Sequence, residues 1–133
     1  MTPDEIKILT EAKKANQWWF VAMLEAASMM VERRKKYAGD EHPYTNFVDL
    51  YYRDENRSMM DVFRFYLDIK KSRLSVTGDQ DFVDERVIDT FMDAGNYGFL
   101  AAGWILGDLT PEDVIPYSEW LARRIQYRED KSE

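Results

Sequence analysis

The sequence predicts an all-α domain, built as an antiparallel bundle of four to five helices. Apolar residues recur at three- and four-residue spacing over long stretches. A Thr-Pro-acid-acid capping signature occurs twice, at Thr2 and at Thr110. The connections between the periodic stretches are short. At 133 residues the chain has the length of one domain, here spanning 1–133, with a core over about 3–107 and a C-terminal helical arm over about 110–129.

The first helix starts at Thr2, where Pro3 occupies the first helical position and Glu5 completes a capping box. Ile6, Leu9, Trp19, Met23, Ala26 and Met30 repeat at helical spacing. The pattern weakens over 13–17, which leaves one long helix or two open. The basic run Arg33-Arg34-Lys35-Lys36 closes this stretch, either as charge favourable to a helix C-terminus or as a phosphate-attracting rim. Residues 37–57 contain Gly39, Pro43, Asn46 and Asn56 and read as a loop with a helical turn near 47–52. Ser58 with Asp61 caps the next helix. It runs to about Leu74, with Phe63, Tyr66, Leu67 and Leu74 on one side, and 75–80 read as a turn around Gly78. The third main helix covers about 82–106, with Gly107 as its C′ stop. Gly95, Gly98 and Gly103 lie inside it, and close helix–helix approach would explain them, since glycine weakens a helix. The last helix follows Thr110, is interrupted or restarted at Pro116, and ends in a charged tail over 128–133 that is expected to fray.

Composition narrows the chemistry. Without cysteine, disulfides and thiolate metal sites are excluded, and a single histidine argues against a histidine-rich metal site. A metal here would be held by carboxylate oxygens, which favours Mg²⁺ or Mn²⁺. A net charge of −7 opposes general binding to nucleic acid polymers and to anionic membranes. Residues 1–14 are charged and lack the apolar segment of a secretory leader. The longest uncharged run, 94–107, is too short to span a bilayer. A cytoplasmic location is expected, the host cytoplasm if the chain is phage-encoded. Trp18-Trp19-Phe20, Met29-Met30 and Met59-Met60 are too many large apolar residues for one small core, so a homodimer or higher homo-oligomer is expected.

Glu85, Asp89 and Asp93 recur every four residues and form one stripe along the third main helix, extended by Asn96 and flanked by Ile88, Phe91, Met92 and Phe99. Carboxylates this close repel unless a cation neutralises them. A Mg²⁺ ion completed by substrate phosphates would do so, and so would basic residues of a neighbouring helix on a solvated edge. Glu25, set among Met23, Leu24, Ala26 and Ala27, needs a partner, for which metal, Lys70 and Arg73 are candidates. Glu32, seven residues on, reads as solvated. Lys70 and Arg73, three apart, suit phosphate oxygens or simply compensate a helix end.

Three segments in this order carry a family resemblance. Residues 42–47 read HPYTNF and follow Tyr37-Ala38-Gly39, 67–74 read LDIKKSRL, and 89–97 read DTFMDAGNY. Together they resemble the phage-associated nucleotide modification associated families, which are similar to the all-α NTP pyrophosphohydrolases of the MazG and dimeric dUTPase type. The resemblance covers about residues 25–106. It implies a helical bundle, often dimeric or tetrameric, with Mg²⁺ between two helices and cleavage of a nucleoside triphosphate to monophosphate and pyrophosphate. It implies metal ligation by Glu25, Asp89 and Asp93, to which the stripe adds Glu85. It places Lys70 and Arg73 on the phosphates and His42, Asn46, Phe47, Asn96 and Tyr97 beside the nucleotide. Ser28 stands where those enzymes carry the second acid of an ExxE pair, and the later acids are spaced by four rather than three. The alternative function is a non-catalytic nucleotide-binding or protein-interaction helical protein.

Overall fold

A computed structural model describes residues 1–38, 41–54, 57–77 and 85–132, excluding the side chains of 37, 38, 76, 77, 85 and 86. The described residues are mainly helical, with no strand among them. They form α1 (Pro3–Ala15), α2 (Gln17–Arg33), α3 (Thr45–Arg53), α4 (Met59–Thr77), α5 (Glu85–Leu106), α6 (Pro111–Val114) and α7 (Tyr117–Ser132). A π-helical segment, Arg34–Ala38, continues α2. The count exceeds the expected four to five because two of the anticipated helices are divided.

Asn16 makes the first division. Its extended backbone ends α1, and its side chain accepts from the Trp19 N–H at 2.9 Å to begin α2. Pro116 makes the second, separating α6 from α7. The predicted caps form. Thr2 and Glu5 exchange hydrogen bonds of 3.1 and 2.9 Å, and Ser58 and Asp61 do the same at 3.1 and 3.2 Å.

Three expectations need correction. Residues 75–77 are the last turn of α4 rather than a turn, and Gly78 lies outside the described residues. The charged tail is helical through Ser132. At the end of α5 the left-handed residue is Asp108, with φ of 49°, not Gly107. Asp108 N–H donates to the Ile105 carbonyl and Leu109 N–H to the Trp104 carbonyl, the paired bonds of a Schellman closure.

The core gathers Tyr44, Phe47, Val48, Met59, Val62, Phe63, Trp104, Ile115 and Trp120. It is therefore drawn from α3, α4, α5 and the C-terminal segment, which is anchored rather than a free arm. Tyr52 donates its hydroxyl to the Ile115 carbonyl at 2.7 Å, and the Trp120 indole N–H donates to Asp49 at 2.5 Å. Met59 belongs to this core, while Trp18 and Trp19 are exposed. α4 and α5 form the main helix pair. Phe63 meets Trp104 and Lys70 meets Asp93, so their chains run in opposite directions. α2 lies against α5 through Ala26 and Arg33, while α1 packs chiefly on α2.

Of the three glycines inside α5, only Gly103 is explained by close approach within the chain. A Cβ there would lie 2.9 Å from the Tyr44 hydroxyl, whereas at Gly95 and Gly98 it would meet nothing within 4 Å. The Tyr44 hydroxyl donates to the Leu100 carbonyl at 2.5 Å. Gly103→Ala is thus expected to displace that hydroxyl and cost about 1 kcal/mol net, despite alanine's better helix propensity. A fall in the urea midpoint at unchanged slope is the measurement that checks it.

Candidate functional site

The chemistry-bearing residues converge where α2, α4 and α5 meet. Asp93 on α5 is buried at 6% exposure and Lys70 on α4 at 7%. The Lys70 ammonium lies 3.0 Å from Asp93 Oδ2. Arg33, the last residue of α2, donates from Nη1 to Asp93 Oδ1. Both carboxylate oxygens are thereby engaged by cations from two different helices, as a buried charge requires. The hydrogen bond to Asp93 raises the Arg33 pKa, against an opposing effect of burial. Asn96, one turn on and also buried, donates to the Ala26 carbonyl at 2.9 Å and fixes α2 against α5.

An aromatic wall closes one side of this centre. Tyr66 and Tyr97 stand 5.2 Å apart, and the Lys70 ammonium lies 5.9 Å from the Tyr97 ring centroid. Burial pushes both phenols above the ordinary tyrosine range, with the Asp93 charge adding to the effect at Tyr97. The fields of Arg33 and Arg73 act on Tyr97 in the opposite sense, and that of Asp89 acts on Arg33. Arg73 and Asp89 are exposed and thus form the rim. Two cations from two helices, Arg33 and Lys70, share the carboxylate of Asp93 in a chain of net charge −7.

The other residues expected at the site are distributed elsewhere. Glu25 is exposed on α2 beside Ala26. Ala26 meets α5 at Asn96, and Asp89 is seven residues, about 10 Å at 1.5 Å per residue, farther along that helix. The fold does not bring Glu25 to Asp89. The Glu85 side chain lies outside the described residues. Phe47 is buried. It is a core residue, 4.9 Å from Tyr66 and 6.1 Å from Tyr97 between ring centroids. His42 and Asn46 are exposed at the start of α3. His42 accepts the Tyr44 N–H on Nδ1 at 3.2 Å, so it shapes that turn. Among the described residues a ring series, Tyr44, Phe47 and Tyr97, leads from it to the ion-pair centre.

Sequence reasoning missed Arg33 as a partner of Asp93 and Tyr66 as part of the wall. Helical phase held the signal for the arginine. Arg33 follows Ala26 by seven residues and so shares its inward face.

Of the acids expected to hold a Mg²⁺ or Mn²⁺, Asp93 is engaged by protein cations and the Glu85 side chain lies outside the described residues. Among the described residues no group of three or more acidic or histidine side chains is placed to hold a metal ion. What the arrangement offers instead is hydrogen-bond donors for an anion beside an aromatic surface.

The chain matches no family model, no curated protein and no solved structure. The described helices include none long and apolar enough to cross a membrane.

Proposed function

We propose that this protein binds a nucleotide at the junction of α2, α4 and α5. The phosphates lie against Arg73 and the Arg33–Lys70 pair, and the base packs on the Tyr66–Tyr97 surface. The carrying observation is that two cations from two helices, Arg33 and Lys70, share the one carboxylate of Asp93 in an acidic chain. Arg73 is the entry contact. It is exposed, its field reaches Tyr97, and its planar donor fork matches phosphate oxygens. Lys70 and Arg33 are held in place by Asp93, so their donors are ordered before a ligand arrives. The order of the segments at 42–47, 67–74 and 89–97 supports the same substrate class.

The test is a calorimetric titration of nucleoside mono-, di- and triphosphates and of inorganic pyrophosphate, with and without Mg²⁺, alongside an assay of pyrophosphate release. Binding of triphosphate is expected without added metal, weakening as salt rises. Arg73→Gln is expected to weaken it about tenfold, the worth of one charge-assisted hydrogen bond, at unchanged melting temperature. Turnover that appears only with Mg²⁺ would favour the pyrophosphohydrolase reading over a purely binding one. If no phosphate compound binds, or Arg73→Gln makes no difference, the proposal fails.

A further inference from the structure

The outer face of α5 is apolar and uncovered. Ile88, Phe91, Phe99, Ile105 and Leu106 are exposed by 48, 60, 61, 63 and 87%. At 100° per residue, Ile88, Phe91, Gly95, Phe99, Ala102 and Leu106 fall within about 40° of one line. Trp104, Asp93 and Tyr97 lie on the opposite side of the helix, toward the core and the ion-pair centre. With about 150–200 Å² for each large side chain, the five exposed residues leave on the order of 600 Å² open. The largest apolar patch of a typical monomer is roughly 300–600 Å², and patches at the top of that range mark interaction sites. At 1.5 Å per residue the stripe runs about 27 Å from Ile88 to Leu106, the length of a helix of about five turns. Between Phe91 and Phe99, Gly95 leaves a gap, where a Cβ would meet nothing within 4 Å.

The charge carried with this stripe is of one sign. From Val87 to Ala122 the sequence has no lysine, arginine or histidine, but it has the acids Asp89, Asp93, Asp108, Glu112, Asp113 and Glu119. Asp93 is turned inward onto Lys70 and Arg33. Asp89 is exposed at one end of the stripe, and Asp108 is exposed just past the other. An apolar surface with acids at both ends repels an anionic membrane, a nucleic acid and a second acidic molecule alike. The surface that complements it is apolar along its length and cationic at its ends.

We propose that the outer face of α5 docks an amphipathic helix of another protein. Its apolar side packs on Phe91, Phe99 and Leu106, with an aliphatic side chain in the gap at Gly95. Lysine or arginine at its two ends faces Asp89 and Asp108. The surface lies across α5 from the ion-pair centre, so docking and nucleotide binding are separable.

The probe is a synthetic helical peptide of about 18 residues with a leucine stripe and lysines at both ends. A twin carries glutamates in place of the lysines. Because the chain has no cysteine, a polarity-sensitive dye on Gly95→Cys reads the stripe alone. The lysine peptide is expected to bind one per chain, to shift the dye emission to the blue, and to bind less tightly as salt rises. The glutamate twin should bind at least about tenfold more weakly. Followed by fluorescence anisotropy of labelled peptide, Phe91→Ser with Phe99→Ser should weaken the lysine peptide about tenfold or more at an unchanged far-ultraviolet circular dichroism spectrum. Asp89→Asn with Asp108→Asn should remove most of the preference over the twin. Equal binding of the two peptides, binding that ignores the phenylalanine replacements, or no binding overturns the proposal. So does a wild type that sediments as a dimer and is dissociated by those two replacements, because a second copy then covers the stripe.

Discussion

Replacing Asp93 with alanine is expected to destabilise the protein by about 3–5 kcal/mol, the usual consequence of removing one partner from a buried ion pair. Among the described residues Asp93 is the carboxylate bonded to Lys70, and Lys70 is as deeply buried as the aspartate. The ammonium would be left in a pocket of rings and helix backbone, without the water it had in the unfolded chain. Arg33 answers differently. Its side chain is about half exposed, so it can turn to solvent, and Arg33→Gln is expected to lower stability by no more than about 1 kcal/mol. The double replacement Asp93→Leu with Lys70→Met separates charge from packing. Removing both charges for apolar groups of similar volume should recover most of the loss. Urea unfolding of the four proteins is the measurement. An Asp93→Ala protein within 1 kcal/mol (about) of wild type would mean that the pair is hydrated.

Phe63→Ala is expected to match or exceed that effect, with a loss of about 3–5 kcal/mol. Phe63 is 2% exposed and joins three rings, two from the start of α3 and one from α5. Its centroid lies 5.1 Å from Phe47, 6.1 Å from Tyr44 and 6.1 Å from Trp104. The surrounding groups are rigid aromatics on separate helices, so they cannot collapse into the vacated volume. Domains of this size have only about 5–15 kcal/mol of stability in total. The variant should therefore unfold at markedly lower urea and lose near-ultraviolet circular dichroism from Trp104 before it loses helix. A midpoint close to wild type would show that the ring is not central to the core.

Local chemistry was the legible part of this fold. Thr2, Ser58 and Thr110 announce helix starts because a cap forms within four residues, with nothing required from the rest of the chain. The weak periodicity near Asn16 likewise marked a real boundary, though only the backbone could decide between one helix and two. The site was legible by residue type more than by role. Glu85, Asp89 and Asp93 look like one stripe, but four residues advance a helix by 400° rather than 360°. Each acid is therefore turned about 40° from the one before, which brings Asp93 inward while Asp89 stays on the rim. Arg33 was hidden in a run of four cations, where composition reads as a helix end. Phe47 was drawn toward the ligand by its motif, but it is buried in the core with its neighbours Tyr44 and Val48, while His42 and Asn46 of the same segment stay exposed. In each case the missing information was rotational phase about a helix axis, which only packing against a second helix sets.

The shared cap at Asn16 gives the first thirteen helical residues an unusual freedom of sequence. No residue of α1 is buried, and the helix packs chiefly on α2 alone. Substitutions in this segment are expected to act through helix propensity more than through packing. Most replacements among good helix formers should be accepted there, while the same replacements in α4 or α5 would be tested against the core. Two stretches of similar helical appearance thus carry very different amounts of structural information, and the residue that separates those regimes is Asn16.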